Sequence, residues 1–171
     1  MKEKYGFKFE SDSDCEIFLH LYEKFGSVDK FIDELDGVFA FIIHDEETGE
    51  VTVGRDPIGV RPIFIGQDVN GNYAFASEAK ALLAICTGNS IKPFQPGSFW
   101  SSKTEKYTKW WDPSHNLEEV DLSTWDEESA LKITAELLYK SVQKRMMSDR
   151  PIGTFLSGGL DSSIVASMIK K

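Results

Sequence analysis

Ser157, Gly158, Gly159, Leu160, Asp161, Ser162 and Ser163 stand in one unbroken run of a 171-residue chain. The types and their spacing suit the holding of an anion. Glycine lacks a Cβ and tolerates positive φ, so backbone N–H groups can approach a ligand closely. A helix starting just behind such a loop points its unbonded N–H groups at the same place, and phosphate is the favoured guest. Three serines add hydroxyl donors. The GxxxxGK[ST] pattern of a Walker loop is absent, and no lysine stands in the run. Taken alone, the two glycines suit a sharp strand-to-helix turn equally well; the flanking serines and the aspartate favour the anion site.

Such a loop needs a strand before it and a helix after it. Ile152 to Leu156 is a β-type run, and a helix is expected from about Asp161. Upstream, Thr124 and Glu127 form a capping-box pair, and Leu131, Leu138, Val142 and Met146 mark an amphipathic helix ending before Asp149. A strand of this kind normally lies in a parallel sheet with neighbours on both sides. One strand and two helices do not supply them, so the chain is expected to be a fragment or a truncated product.

The first hundred residues read differently. Tyr5 to Phe9 is strand-like. Ser13 and Glu16 form a capping-box pair ahead of a helix carrying Phe18, Leu21, Tyr22 and Phe25 at helical spacing, with Gly26 as its stop. Asp14 then falls in the first turn, at the positive end of the helix dipole. Val38–Ile43 and Glu50–Arg55 flank a polar turn as one hairpin; Pro62–Gly66 and Tyr73–Ser77 flank Asn70-Gly71 as a second. Glu78–Ile85 is a short helix, and Pro93–Trp100 is extended. Successive strands with few helices between them imply an antiparallel α+β layer. The polar stretch at 112–121 reads as a linker, dividing a domain at 1–111 from the start of another at 122–171.

Composition narrows the class. Hydrophobic residues make up 41% and charged residues 27%, as in ordinary globular chains. No apolar run approaches the roughly 18 to 20 residues of a membrane span. A net charge of -9 disfavours a nucleic-acid surface. Cys15 and Cys86 offer no metal spacing and no disulfide framework, so both are expected as packed or partly buried structural thiols in a reducing, cytosolic setting. His20, His44 and His115 have no ligand spacing either. Arg55, Asp56, Arg61 and Pro62 read as a structural string that bonds backbone and shapes a loop. Trp110 and Trp111 read as packing at a domain boundary.

These stretches carry a resemblance. SGGLDSS resembles the SGGxDS pyrophosphate loop of the ATP pyrophosphatases, and the preceding KRMMSDRPIG resembles the approach to that loop in the glutamine-dependent asparagine synthetases. GVFAFIIHDEETGEVTVGRDPIGVRPIF, residues 37–64, and FASEAKAL, residues 75–82, are similar to the back half of the N-terminal-nucleophile glutaminase domain of those enzymes. The resemblance covers nearly the whole chain and is strongest over residues 35–82 and 144–166.

The resemblance implies a partial glutaminase-like antiparallel sheet layer, followed by the first strand-loop-helix of an α/β adenine-nucleotide hydrolase-like domain. It implies a carbon–nitrogen ligase that forms asparagine from aspartate with ATP and Mg2+, using ammonia from glutamine, in the cytosol. The full-length family would form homodimers, without nucleic acid or membrane. It assigns Asp14 to the ammonium of glutamine. It assigns Leu156, Ser157, Gly158, Gly159, Asp161, Ser162 and Ser163 to ATP, with Asp161 also the candidate for placing the metal. No catalytic residue carries over, because the family's terminal cysteine nucleophile is not found, and the chain alone is expected to be inactive. A non-catalytic, partner-binding relative and a β-lactam-synthetase-like adenylating enzyme are the alternatives.

Overall fold

The computed structural model describes residues 2–116 and 126–170. The chain divides into two compact units, residues 1–115 and 116–171.

The first unit opens with a one-turn helix α1 (Lys2–Tyr5), and the strand expected over Tyr5 to Phe9 is not formed. Its geometry is fixed from outside. The Tyr5 hydroxyl and the Lys4 ammonium both donate to the Glu34 carboxylate, at 2.7 and 2.8 Å, and Gly6 turns the chain at φ +70°. Phe7 and Phe9 then lie against the His20 ring instead of pairing with a strand.

Helix α2 (Glu16–Phe25) ends on Gly26 at φ +71°, whose N–H bonds the Tyr22 carbonyl; glycine takes this left-handed stop without steric cost. The expected capping box is not formed. Glu16 is the first helical residue, too early for the third-position role, and its carboxylate turns back to accept the N–H groups of Glu10 (2.7 Å) and Ser11 (2.8 Å). It also accepts the Ser11 hydroxyl and meets His20 Nε2 at 3.1 Å. Leu21 is fully buried with Phe31, Ile32 and Val28 from two short 3₁₀ turns that follow.

Among the described residues, seven strands make two antiparallel sheets. The first has the order β1 (Ala40–His44), β2 (Val51–Arg55), β6 (Ser98–Ser101), β7 (Lys106–Lys109). The second has the order β4 (Tyr73–Ala76), β3 (Phe64–Gln67), β5 (Lys92–Pro93). Side chains alternate across the first sheet, so Phe41 and Ile43 face α2 while Val53 and Trp100 face the second sheet with Ile65 and Phe94. Tyr73 and Phe75 of β4 lie on Trp100, and Phe94 lies on Tyr107 of β7. The second sheet therefore covers β6 and β7, and Ala40 of β1 packs against the same cluster. Gly54 in β2 lies under the Phe41 ring: a Cβ there would come within 2.4 Å of it. Helix α3 (Ala79–Leu82) is shorter than expected, and Cys86 sits half-buried over Gly66.

One buried carboxylate joins the two sheets. Asp56, 1% exposed, follows β2 and accepts the N–H groups of Ile58, Gly59, Val60 and Arg61 at 2.6 to 3.2 Å. Arg55 supplies the complementary half, donating to the carbonyls of Arg61, Phe94 and Gly59 at 2.8, 2.6 and 2.6 Å. The structural reading is borne out for Arg55 and Asp56. Trp110 stacks on Phe39 inside the same unit, so its packing is internal.

In the second unit, α4 (Glu127–Lys144) is capped by Asp126, whose carboxylate accepts the Ser129 N–H at 2.8 Å. The expected partner Thr124 lies outside the described residues. Residues 151–156 form no strand, contrary to expectation: a strand requires a neighbour to take its hydrogen bonds, and no strand is found among the described residues of this unit. Phe155 and Leu156 are exposed. Helix α5 (Leu160–Ile169) starts directly behind Gly159.

Two outcomes follow from these carboxylates. Asp56→Ala leaves four loop N–H groups without their acceptor and is expected to lower stability in urea unfolding by about 3 kcal/mol, with Asp56→Asn costing less because its amide oxygen still accepts. Glu16 is held at about 2, first by the Ser11 hydroxyl and then by the Glu10 N–H. Its folded-state value is depressed, so its contribution is complete above the ordinary carboxylate range and is lost as pH falls through about 2. Glu16→Gln should flatten that acid limb in a stability-versus-pH series.

Candidate functional site

A groove of about 1380 Å³ opens in the first unit between α2 and the β1 side of the sandwich. Its floor is apolar, with Phe39, Phe41 and Ile43 beneath. Its rim is charged. Glu10, Asp14 and Glu23 stand on the α2 side, and Arg61 and Ser77 border it from the second sheet's loops.

Asp14 lies two residues before the first residue of α2, in a turn whose Asp14 carbonyl accepts the Ile17 N–H at 3.4 Å. The loop ahead of it is anchored by Glu16 through Glu10 and Ser11, and Ser13 Oγ accepts the Cys15 N–H at 3.3 Å. The turn is thus held by its own side chains. Asp14 itself is exposed, and among the described residues nothing bonds its carboxylate. An exposed, unpaired carboxylate at the mouth of an apolar groove can take an ammonium group.

Cys15, expected to be packed, is exposed and lines the same groove. It precedes α2, so the helical spacing that buries Phe18 and Leu21 does not govern it. Sequence spacing gave no sign that Arg61 and Ser77 would border the same groove as Asp14; a fold of the two hairpins over α2 is needed to bring them there.

The second candidate site is the glycine loop of the second unit. Gly158 adopts φ +83°, a conformation costly for any other residue. Gly159, immediately before α5, makes no side-chain cap to the helix. Ser157 Oγ lies 2.9 Å from Ser162 Oγ, and the hydroxyls of Ser162 and Ser163 reach the Gly159 carbonyl at 3.1 and 2.8 Å. Three hydroxyls and the uncapped N–H groups of a ten-residue helix therefore converge on one loop. This set fits a phosphate group. Asp161, in the first turn of α5, is exposed, and Leu156 stands exposed before the loop rather than at a strand end. No cluster of three metal-ligating side chains occurs among the described residues. No described helix is long and apolar enough to cross a membrane.

Known proteins were compared with the chain. Residues 1–111 match the family model described as "Glutamine amidotransferase domain", and residues 134–171 match that described as "Asparagine synthase". A probable glutamine-hydrolysing asparagine synthetase of Dictyostelium discoideum is 41% identical over 95% of this chain and 29% of its own length. Asparagine synthetase 1 of Arabidopsis thaliana is 43% identical over 94% of this chain and 26% of its own. The chain therefore spans under a third of the length of these relatives. Among solved structures, glutamine phosphoribosylpyrophosphate amidotransferase from B. subtilis, complexed with ADP and GMP, superposes with a TM-score of 0.54 at 27% identity. The superposition covers 64% of this chain and 25% of that one. Its fold agrees with the antiparallel layers of the first unit. With residues 1–111 matched by the amidotransferase model and an asparagine synthase segment behind them, the chain belongs to the glutamine amidotransferase family and is similar to the glutamine-hydrolysing asparagine synthetases.

Proposed function

We propose that this chain belongs to a ligase that makes asparagine, with ammonia drawn from glutamine and ATP as the activating cosubstrate. One observation supports the reading: a unit that matches the amidotransferase model is followed on the same chain by a segment that matches the asparagine synthase model, with Gly158 at positive φ and the hydroxyls of Ser157 and Ser162 in contact. In the proposed organisation residues 1–111 serve glutamine, 112–121 connect, and 122–171 begin the synthetase part.

The chemistry divides accordingly. The Asp14 carboxylate holds the ammonium of glutamine while its side-chain amide is hydrolysed to release ammonia. In the second reaction the β-carboxylate of aspartate attacks the α-phosphorus of ATP, pyrophosphate leaves, and ammonia displaces AMP to give asparagine. Ser157, Gly158, Gly159, Ser162 and Ser163 grip the departing pyrophosphate, with Leu156 against the nucleotide. A divalent cation such as Mg2+ would neutralise phosphate charge, and Asp161 is the carboxylate at hand to place it. Cys15 and Cys86 are internal residues whose nitrogens are amide-bonded, so neither offers the free amine that the family's nucleophile uses as its base. Turnover by this chain alone is not expected. Two free cysteines favour a reducing compartment such as the cytosol, and the acidic balance disfavours nucleic acid. Homodimer formation belongs to the proposal for the full-length family.

Titration of the chain with inorganic pyrophosphate, followed by amide chemical shifts, tests the reading. The amides of residues 157–163 should move, and Ser157→Ala with Ser162→Ala should weaken binding about tenfold, on the order of 1.4 kcal/mol. Shifts scattered outside the loop, or none at millimolar pyrophosphate, would overturn it.

A further inference from the structure

The turn that carries Asp14 has little backbone support. Residues 7–15 belong to no helix or strand. The bonds that close the turn, from the Glu16 N–H to the Ser13 carbonyl and from the Ile17 N–H to the Asp14 carbonyl, are both long at 3.4 Å. Shorter bonds come from the Glu16 carboxylate, whose Oε1 accepts the Glu10 N–H at 2.7 Å and whose Oε2 accepts the Ser11 N–H at 2.8 Å. A glutamate side chain has several rotamers, and selecting the one that reaches the loop costs entropy.

His20 supplies the restraint. It stands one turn further along α2, where side chains lean back toward the helix N-terminus, and its Nε2 meets Glu16 Oε1 at 3.1 Å. The two side chains are only 22% and 12% exposed, so their bond is sheltered from competing water. Glu16 is held at about 2, by the Ser11 hydroxyl first and the Glu10 N–H next; an ionised carboxylate only accepts, so Nε2 carries the proton. The ring is fixed as well. It stacks on Phe7 with centroids 5.2 Å apart and lies against Phe9 at 5.1 Å. Phe7 and Phe9 precede the turn and His20 follows it. One imidazole therefore ties the two ends together, by ring contact to the incoming chain and by a hydrogen bond to the residue that holds the loop.

We propose that His20 is a positioning residue of the Asp14 turn: its Nε2–H keeps the Glu16 carboxylate in the orientation that bonds Glu10 and Ser11, and the turn then presents Asp14 already formed. The consequence for glutamine affinity rests on the reading of Asp14 given above; the ordering of the turn does not.

Two variants of the full chain separate this role from packing. His20→Leu keeps apolar volume against Phe7 and Phe9 but removes the donor, whereas His20→Gln removes the ring and keeps a donor at about the reach of Nε2. Without ligand, His20→Leu should speed amide hydrogen exchange at Glu10 and Ser11 roughly threefold, and His20→Gln should leave it near the unaltered rate. With L-glutamine, followed by the Asp14 carboxyl-carbon shift, His20→Leu should raise the dissociation constant about fivefold and His20→Gln should restore most of the affinity. In the unaltered chain, imidazole nitrogen shifts should place the proton of neutral His20 on Nε2. Unchanged exchange in His20→Leu, a larger effect of glutamine than of leucine at this position, or a proton on Nδ1 would each overturn the proposal. An Asp14 signal indifferent to L-glutamine in the unaltered chain would count against the glutamine reading alone, because the exchange measurement contains no ligand.

Discussion

The first unit depends on a carboxylate that has no contact with solvent. Asp56 sits where the first sheet hands the chain to the second, and it bonds four successive N–H groups of the loop between them. Burial of a carboxyl group is tolerable only when its oxygens are engaged in hydrogen bonds. Arg55 closes the arrangement from the other side by bonding three carbonyls, one of them from Phe94 next to β5. Loop, hairpin and the returning chain are thereby locked in one geometry. Gly97 N–H also bonds the Asp56 carbonyl at 3.0 Å, tying the start of β6 to the same point.

What this junction fixes is the groove. With the second sheet held over β6 and β7, Ala40 of β1 packs against its cluster, Ile42 beside it stays half exposed, and α2 lies across the other face of β1 through Phe41 and Ile43. Glu16 then holds the loop before α2 so that Asp14 projects at the groove mouth. Two carboxylates thus do opposite work: Glu16 is saturated by hydrogen bonds and organises the turn, while Asp14 is left unpaired. A ligand's ammonium meets a formed turn and does not have to order it, which lowers the entropic cost of binding.

Local signals were legible in the sequence wherever they act over a few residues. Asn70-Gly71 marked its hairpin, and Asp68 secures that turn by accepting the Asn70 and Asn72 N–H groups at 2.8 Å each. Gly26 marked the end of α2, and the paired glycines marked the loop ahead of α5. Features set by distant partners were not legible. Tyr5 is helical because Glu34, 29 residues away, holds its hydroxyl. Ile152 to Leu156 reads as a β-type run but has no neighbouring strand among the described residues, and propensity alone does not make a ladder. The shape of the groove, and the meeting of Arg61 and Ser77 with Asp14, depend on how one sheet overlaps the other. That overlap follows from the buried bonds of Asp56 and Arg55; the sequence marks the pair as bonding backbone and shaping a loop, without showing that Arg55 reaches Phe94, 39 residues away.

Asp14, exposed at the groove, is the carboxylate we propose to receive the ammonium of glutamine. The carboxyl-carbon shift of Asp14 in a carbon-labelled chain reports this directly as L-glutamine is added, with glutaramic acid, which lacks the α-amino group, as the comparison. The proposal predicts a saturable shift with L-glutamine and none with glutaramic acid. Equal shifts with both ligands, or an Asp14 signal indifferent to L-glutamine, would contradict it.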